Sequence, residues 1–252
     1  MPRLWKALCL AFAVTALALF AMSCGSAKTG YRVIDAIANY DYQTSGGFDI
    51  TLNGSLVFSS VEFTNVNPGG KDAYQGVPSG GDGLAVFAHG DSVTGQPIIN
   101  SSLSLNGRTQ YTVMLMGNNL QNPYVAQPFT DNNAVPTTGN FEIRVIDASN
   151  NLPNPVNGQP GGVDIYIVGS PNLVTGPNPP APQANLAFGQ ASSYIAEPAG
   201  TWWLVVTNHG SHVPYINPVS YSPSALQIRT VVLLDGLNGF GVGAPFLYND
   251  LN

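Results

Sequence analysis

The sequence predicts an all-β protein in which two tandem antiparallel β-sandwich domains follow a cleaved signal peptide. Three observations lead to this prediction. Gly and Pro are frequent, with 28 and 20 residues, and only 9% of the 252 residues are charged, which favours short strands and tight turns over surface helices. Short runs of alternating apolar and polar residues recur along the chain. Many segments of the first half return, in order, in the second half.

Residues 1–23 are predicted to be a lipoprotein signal peptide. Arg3 and Lys6 give it a positive start, and an uncharged apolar run continues to Met22. This run is shorter than the ~20 residues that a membrane-spanning helix needs. It has the length of the apolar core of an export signal.

Cys24 is the predicted lipidation site. The stretch "FAMSC" that ends at Cys24 resembles the bacterial lipobox, whose cysteine is acylated, although Ala21 stands where that pattern prefers leucine. An ordinary signal peptide followed by a chance cysteine is the alternative. With Cys24 acylated, residues 24–30 form a tether, and the protein is exported and anchored in the cell envelope by its lipid. Gly25 favours the outer membrane over the inner one.

The five residues RVIDA occur at 32–36 and again at 144–148. Other segments recur at nearly the same offset. These pairs are 48–54 with 163–169, 73–90 with 193–210, 112–117 with 230–236, and Pro128-Phe129 with Pro245-Phe246. Since loops change length while strands keep their register, the drifting offset indicates two copies of one unit. We predict a first domain at 31–133, a linker at 134–140 and a second domain at 141–252.

Within each copy the strand pattern is clearest in "FDITLN" and "VDIYIV". Apolar residues occupy every second position there, so they are expected to face the core, while Asp49 and Asp164 face outward. Asp147 shares its parity with an apolar residue, and we expect it to accept backbone hydrogen bonds at the rim of a sheet. His89 and His209 each precede a glycine at a strand end, which predicts a turn with Gly at positive φ.

The quoted segments, together with "NLAFGQASSYIAEPAGTWWLVV" and "TVVLLDG", resemble the domain of unknown function 4397 family. The resemblance covers nearly all of the exported body twice, and it is most specific in the second copy. Asp35 and Asp147 stand where the family often has histidine. The resemblance implies an immunoglobulin-like sandwich at the cell surface and no established activity.

Trp202 and Trp203 are the candidate ligand-binding residues, together with Tyr166 and Tyr194. The tryptophan pair occurs in the second copy alone, so the shared scaffold does not need it. Adjacent strand residues face opposite sides, and we expect one indole in the core and the other on the outer face. An exposed indole beside either tyrosine can stack on a sugar ring or on a partner's side chain. Burial of both indoles is the alternative.

Charge and motifs narrow the function further. The 14 acidic residues outnumber the 8 basic ones, and the sequence has no basic patch, which argues against a nucleic-acid partner. No nucleophile motif or phosphate loop is present, and His209 with His212 gives too few ligands for zinc, so we expect no cofactor, metal or catalytic residue. We therefore predict a non-enzymatic envelope lipoprotein that has a structural role or binds envelope polysaccharide or protein. The alternatives are a glycan-binding module and, third, a surface hydrolase.

Overall fold

The computed structural model of the protein describes residues 29–41, 46–67, 74–77, 80–91, 95–154 and 161–251. Cys24 and the predicted signal peptide lie outside these residues. In the described ranges nearly all regular structure is β, with two one-turn helices, α1 (Ala38–Asp41) and α2 (Asn172–Thr175), and a 3₁₀ turn (Leu237–Gly239). None of the helices in these ranges has the length and apolarity to cross a membrane.

Each half of the chain contributes a series of short strands. In the first half they are β1 (Thr29–Asp35), β2 (Phe48–Leu52), β3 (Ser55–Val61), β4 (Val66–Asn67), β5 (Gln75–Val77), β6 (Gly80–Ala88), β7 (Ile99–Leu105), β8 (Gln110–Met116) and β9 (Val125–Thr130). In the second half they are β10 (Asn140–Asp147), β11 (Val163–Val168), β12 (Ala184–Leu186), β13 (Ile195–Pro198), β14 (Trp202–Asn208), β15 (Val219–Tyr221), β16 (Ile228–Leu233) and β17 (Phe246–Leu251).

The strands form one sandwich in each half. In the first half β4-β1-β8-β9, with β5 also paired to β1, faces β3-β2-β6-β7; in the second half β13-β10-β16-β17 faces β12-β11-β14-β15. We call the sheets with β1 and β10 the inner sheets and the other two the outer sheets. The predicted all-β fold with antiparallel sheets in sandwich-like domains is confirmed. One pair in each half differs, since β1 runs parallel to β8 and β10 runs parallel to β16.

The cores of the sandwiches follow the predicted alternation. In β2 the alternating apolar residues Phe48, Ile50 and Leu52 are buried in the first core, and their counterparts in β11 are buried in the second. The turns that follow β6 and β14 also agree with prediction, because Gly90 and Gly210 have φ of 86° and 73°.

The two sandwiches pack against each other through their inner sheets. An apolar cluster fills this interface, with buried residues from both halves: Ile34, Ala36, Met114, Met116, Phe129, Ile146, Ala148, Val232, Leu234 and Tyr248. Strands β1, β8, β10 and β16 are therefore buried on both faces. This explains the repeated RVIDA: its Val faces the core of its own sandwich, while its Ile and Ala face the other sandwich.

The arginine of each RVIDA belongs to a buried ion-pair cluster between the inner sheets. Arg32 forms a salt bridge with Asp250 of the second half, and its Nε donates to Thr112 Oγ1 at 3.0 Å. Arg144 forms the reciprocal contact, with Nη2 2.6 Å from Asp131 Oδ1 of the first half. The side chains of all four charged residues are at most 2% exposed.

Hydroxyl groups complete this ion-pair cluster in the same way on both sides. Thr112 donates to Asp131 at 2.8 Å, and Thr230 donates to Asp250 at 2.6 Å. Burial lowers the pKa of the Arg32 guanidinium, but the carboxylates of Asp250 and Asp131 outweigh this effect and hold the pKa above its usual value. The cluster thus buries two cations with two anions, which gives each charge a partner.

The register of the last strands corrects one part of the sequence alignment. Thr112 pairs with Phe129, and its counterpart Thr230 pairs with Tyr248. Phe129 therefore corresponds to Tyr248 rather than to Phe246, and Asp131 corresponds to Asp250. The shared Pro-Phe dipeptides are out of register by two residues, so their agreement in the sequence is coincidental.

The loops that follow β1, β8, β10 and β16 meet at one end of the molecule, which we call the loop end. Asn39 after β1 donates to the carbonyl of Asn118 after β8 and lies against Gly239 after β16. Asn122, after β8, donates from its Nδ2 to the side-chain Oδ1 of Asn150, after β10, at 3.0 Å. Since β1 runs toward this end, its first residue, Thr29, lies at the opposite end.

Candidate binding cleft

A cleft of about 730 Å³ lies at the loop end of the second sandwich. Ten residues line it, and they come from the loop between β14 and β15 together with Val219 at the start of β15, from the loop between β16 and β17, and from Asn151 after β10. Tyr215 lies in the first of these loops and is 44% exposed. The volume lies within the ~300–1,000 Å³ range of small-molecule sites.

The glycine-rich loop between β16 and β17 forms one wall of the cleft and is folded back on itself. Gly236 donates to the carbonyl of Gly241 at 3.0 Å, and Gly243 donates to the carbonyl of Leu234 at 2.8 Å. Gly241 has a φ of 67°, a left-handed conformation that glycine adopts without strain. These bonds fix the shape of the wall before any ligand arrives.

Asn151 joins this wall to the end of β10. Its amide Nδ2 donates to the carbonyl of Gly239 at 2.9 Å, and its backbone N–H donates to Asp235 Oδ1 at 3.0 Å. Asp235 also accepts from Ser149 Oγ at 2.5 Å and from Asn150 Nδ2 at 2.9 Å. The carboxylate of Asp235 therefore holds together the segments behind the cleft.

Asp147 lies beside Asp235 and is fully buried. Its Oδ1 accepts the backbone N–H of Ser149 at 3.0 Å, as predicted for a residue at the rim of a sheet, while its Oδ2 has no hydrogen-bond partner among the described residues. Burial, together with the charge of Asp235, raises the pKa of Asp147 to about 7. The support of the cleft thus contains a carboxyl group that titrates near neutral pH.

Exposed apolar side chains lie on loops at the same end. Phe240, in the glycine-rich loop, is 82% exposed, and Leu120, in the loop after β8, is 88% exposed. A second hollow of about 290 Å³ adjoins the cleft and shares Gly243 and Ala244 with it. Exposed apolar groups around a concave surface are typical of interaction sites.

Trp203 and Tyr166, two of the predicted site residues, come together on the outer face of the second outer sheet. Trp203 packs against a small cluster that contains Tyr166 and Val174 of α2. Trp203 is half-buried, but Tyr166 is 0% exposed, so the ring of Tyr166 is covered and does not reach the surface.

Trp202 and Tyr194 lie elsewhere. Trp202 packs against the second core, with its ring 6.3 Å from that of Phe141, and its Nε1 donates to the carbonyl of Pro198 at 2.8 Å. The ring of Tyr194 lies under the Arg144 guanidinium at 4.9 Å. The structure therefore separates the four predicted residues, with the two tryptophans on opposite faces as expected, and ligand binding by them stays a prediction.

The two repeated His–Asp pairs serve the same turn in each half. His89 Nδ1 lies 2.8 Å from Asp49 Oδ1, and His209 Nδ1 lies 3.0 Å from Asp164 Oδ1. Partial burial raises the pKa of Asp164, but hydrogen bonds from Gly210, His209 and other donors outweigh this effect and hold the pKa below its usual value. In the part of the chain that the structure describes, no three His, Cys, Asp or Glu side chains meet as a metal site would require.

Sequence reasoning did not find the cleft. Apart from Tyr215, its lining consists of Gly, Pro, Asn and aliphatic residues, which form no recognisable binding motif in the sequence. The one available signal was the difference between the copies, because "GLNGFGVG" at 236–243 has no counterpart after β8, where the chain reads "GNNLQNPY" at 117–124.

The profile of one protein family matches residues 31–155, and its description is Domain of unknown function (DUF4397). The match supports the DUF4397 family for these residues. It begins in β1 and extends beyond the first sandwich to include β10 and the second RVIDA. The segment at 187–204, which carries the most specific resemblance, lies outside the DUF4397 match. No curated protein sequence matches this chain.

Proposed function

We propose that this protein is a non-enzymatic binding module of the cell envelope, anchored through lipidated Cys24, and that its second half is a further copy of the DUF4397 domain. The observation that carries the binding role is the preformed cleft at the loop end. None of the residues that line it is charged at neutral pH, so it offers surface for recognition rather than an acid–base pair for hydrolysis.

The arrangement of the strands supports an outward-facing cleft. Cys24 and Thr29 are separated by five residue steps, which span at most about 18 Å, so an acylated Cys24 keeps the start of β1 close to the membrane. The seven residues of β1 then rise by about 23 Å toward the loop end. The cleft consequently faces away from the anchor, where a ligand from the envelope or the exterior has access.

The equivalence of the halves supports the second domain copy. Apart from β4, which is an additional strand of the first inner sheet, the two halves have the same strand order. They also share the Arg–Thr–Asp arrangement at the inner sheet and the His–Asp pair at the outer sheet. A chance likeness of sequence accounts for none of these geometric agreements.

A glycan-binding role for Trp203 is a second candidate function. The half-exposed position of Trp203 on the outer face of its sheet favours this role.

The Cys24→Ser variant tests the anchor. We expect the wild-type protein to fractionate with membranes and to incorporate a labelled fatty acid, whereas the variant loses the label and leaves the washed membrane fraction. Cys9→Ser is the matched control, because it changes the other cysteine and is expected to keep both properties. A Cys24→Ser variant that carries no label and stays in the membrane fraction would contradict the proposed anchor.

A further inference from the structure

We propose that the cleft at the loop end binds a neutral, hydroxyl-rich ligand, a short segment of an uncharged polysaccharide, with Tyr215 and Asn217 as its principal contacts. This inference rests on the proposed binding role of the protein and names the chemical class of its ligand. It does not depend on the lipid anchor.

The absence of charged side chains from the cleft lining argues against ionic ligands. None of the ten lining residues is acidic or basic. A charged group that enters such a cleft gives up part of its hydration without gaining a counter-ion, which weakens its binding. An anionic or cationic polymer is therefore a poor ligand, and a neutral one has the advantage.

The polar groups of the cleft exclude a purely apolar ligand. Asn217 lines the cleft, and among the described residues none forms a hydrogen bond with its side-chain amide. An apolar ligand that covered this amide would leave its N–H donors and its oxygen acceptor unsatisfied. Asn151 is held in place by its bond to Gly239, which leaves its position fixed beside the cleft. These amides match the hydroxyl groups of a sugar, which both donate and accept.

Tyr215 supplies the aromatic surface. Its backbone is fixed by a hydrogen bond from its N–H to the carbonyl of Val206 at 2.7 Å, and its hydroxyl lies 3.5 Å from the carbonyl of Asn151. A fixed, half-exposed ring with a polar edge can pack against the C–H face of a pyranose. Glycines at 241 and 243 let the backbone of the opposite wall approach such a flat ligand closely.

The test measures binding of neutral hexasaccharides to the purified full-length protein in detergent micelles by saturation-transfer difference NMR. The probes are maltohexaose, cellohexaose and hexa-N-acetylchitohexaose, with hexagalacturonate and glucosamine hexamer as charged probes and an Asn/Ser/Gly peptide as a neutral peptide probe. We expect at least one neutral saccharide to bind more tightly than the other probes. Tyr215→Ala is expected to weaken this binding at least tenfold, and Asn217→Ala several-fold.

Two controls separate the cleft from other sites. Tyr215→Phe keeps the ring, and its affinity is expected to stay within threefold of wild type. Trp203→Ala tests the second candidate site, which lies on the outer face of its sheet and is not part of the cleft lining; saccharide binding that survives this change belongs to the cleft.

Four results would overturn the inference. These are no binding of any neutral saccharide, equal or tighter binding of a charged probe or the peptide, saccharide binding that survives Tyr215→Ala, and binding that is lost in Trp203→Ala alone. The last result would assign the saccharide to Trp203. Membrane fractionation of Cys24→Ser reads out the anchor separately, so failure of either proposal is recognised on its own.

Discussion

Replacing Asp131 by Asn is expected to lower the free energy of unfolding by about 3–5 kcal/mol. The Asp131 carboxylate is fully buried and contacts both arginines of the ion-pair cluster, with Arg144 Nη2 at 2.6 Å and Arg32 Nε at 3.8 Å. It also accepts from Thr112 and from the hydroxyl of Tyr74. The isosteric Asn keeps the volume but leaves two buried guanidinium groups with one carboxylate, and this uncompensated charge is the source of the loss.

Chemical denaturation followed by circular dichroism measures this loss. Asp49→Asn is the matched control, since it removes a carboxylate whose ionic partner, His89, is 40% exposed; the expected loss there is less than about 1 kcal/mol. The double variant Asp131→Asn/Arg144→Met restores the balance of charge and should recover most of the stability. A loss for Asp131→Asn no larger than that for Asp49→Asn would show that the cluster does not bear on stability.

Replacing Asp147 by Asn is expected to stabilise the protein at pH 8 by roughly 2–4 kcal/mol, with little change at pH 4. Burial and the neighbouring Asp235 raise the pKa of Asp147 to about 7, whereas the unfolded chain has a value near 3.9. Between these values the folded state holds a proton that the unfolded state has released. The stabilisation that protonated Asp147 gives to the folded state is complete below about pH 4 and is lost as the pH rises through 7.

The Asn side chain keeps the acceptor for the N–H of Ser149 and removes the charge. Denaturation curves at pH 4, 6 and 8 for the wild type and the variant measure the effect, and the difference between the two proteins isolates the contribution of Asp147. Asp164→Asn is the control with the opposite sign, because hydrogen bonds lower the pKa of Asp164, and it should not stabilise at pH 8. Parallel pH profiles for wild type and Asp147→Asn would disprove the assignment.

The strands and turns could be predicted because they depend on local rules. Alternation placed Phe48 in the core and Asp49 outside it, and the His-Gly pairs gave the turns. The tryptophan pair also followed a local rule, since neighbouring residues of a strand must face opposite sides. These features need no knowledge of what lies across the interface.

The interface between the sandwiches could not be predicted in this way. Arg32 and Arg144 each stand between two large apolar or aromatic residues of a strand, and nothing nearby in the sequence shows that their partners are Asp250 and Asp131. The packing of Tyr194 was hidden in the same way. Tyr194 aligns with Tyr74, and each ring lies against the arginine of its own half, a contact that the local sequence does not show.

The cleft escaped prediction for a different reason. Its walls depend on long-range hydrogen bonds, such as the one from Asn151 to Gly239, which join loops far apart in the chain. Glycine-rich segments look alike in sequence whether they form a simple turn or the wall of a cleft. The distinction lies in their partners, which the sequence of a single chain does not display.

The reciprocal contacts of the two arginines also bear on ancestry. Arg32 of the first half meets Asp250 of the second, and Arg144 of the second meets Asp131 of the first, which is the isologous pattern of a twofold-symmetric dimer. A gene duplication that fused two identical subunits would produce this pattern within one chain. We therefore expect single-copy relatives that retain the arginine and the aspartate to be homodimers, and light scattering can establish whether they are.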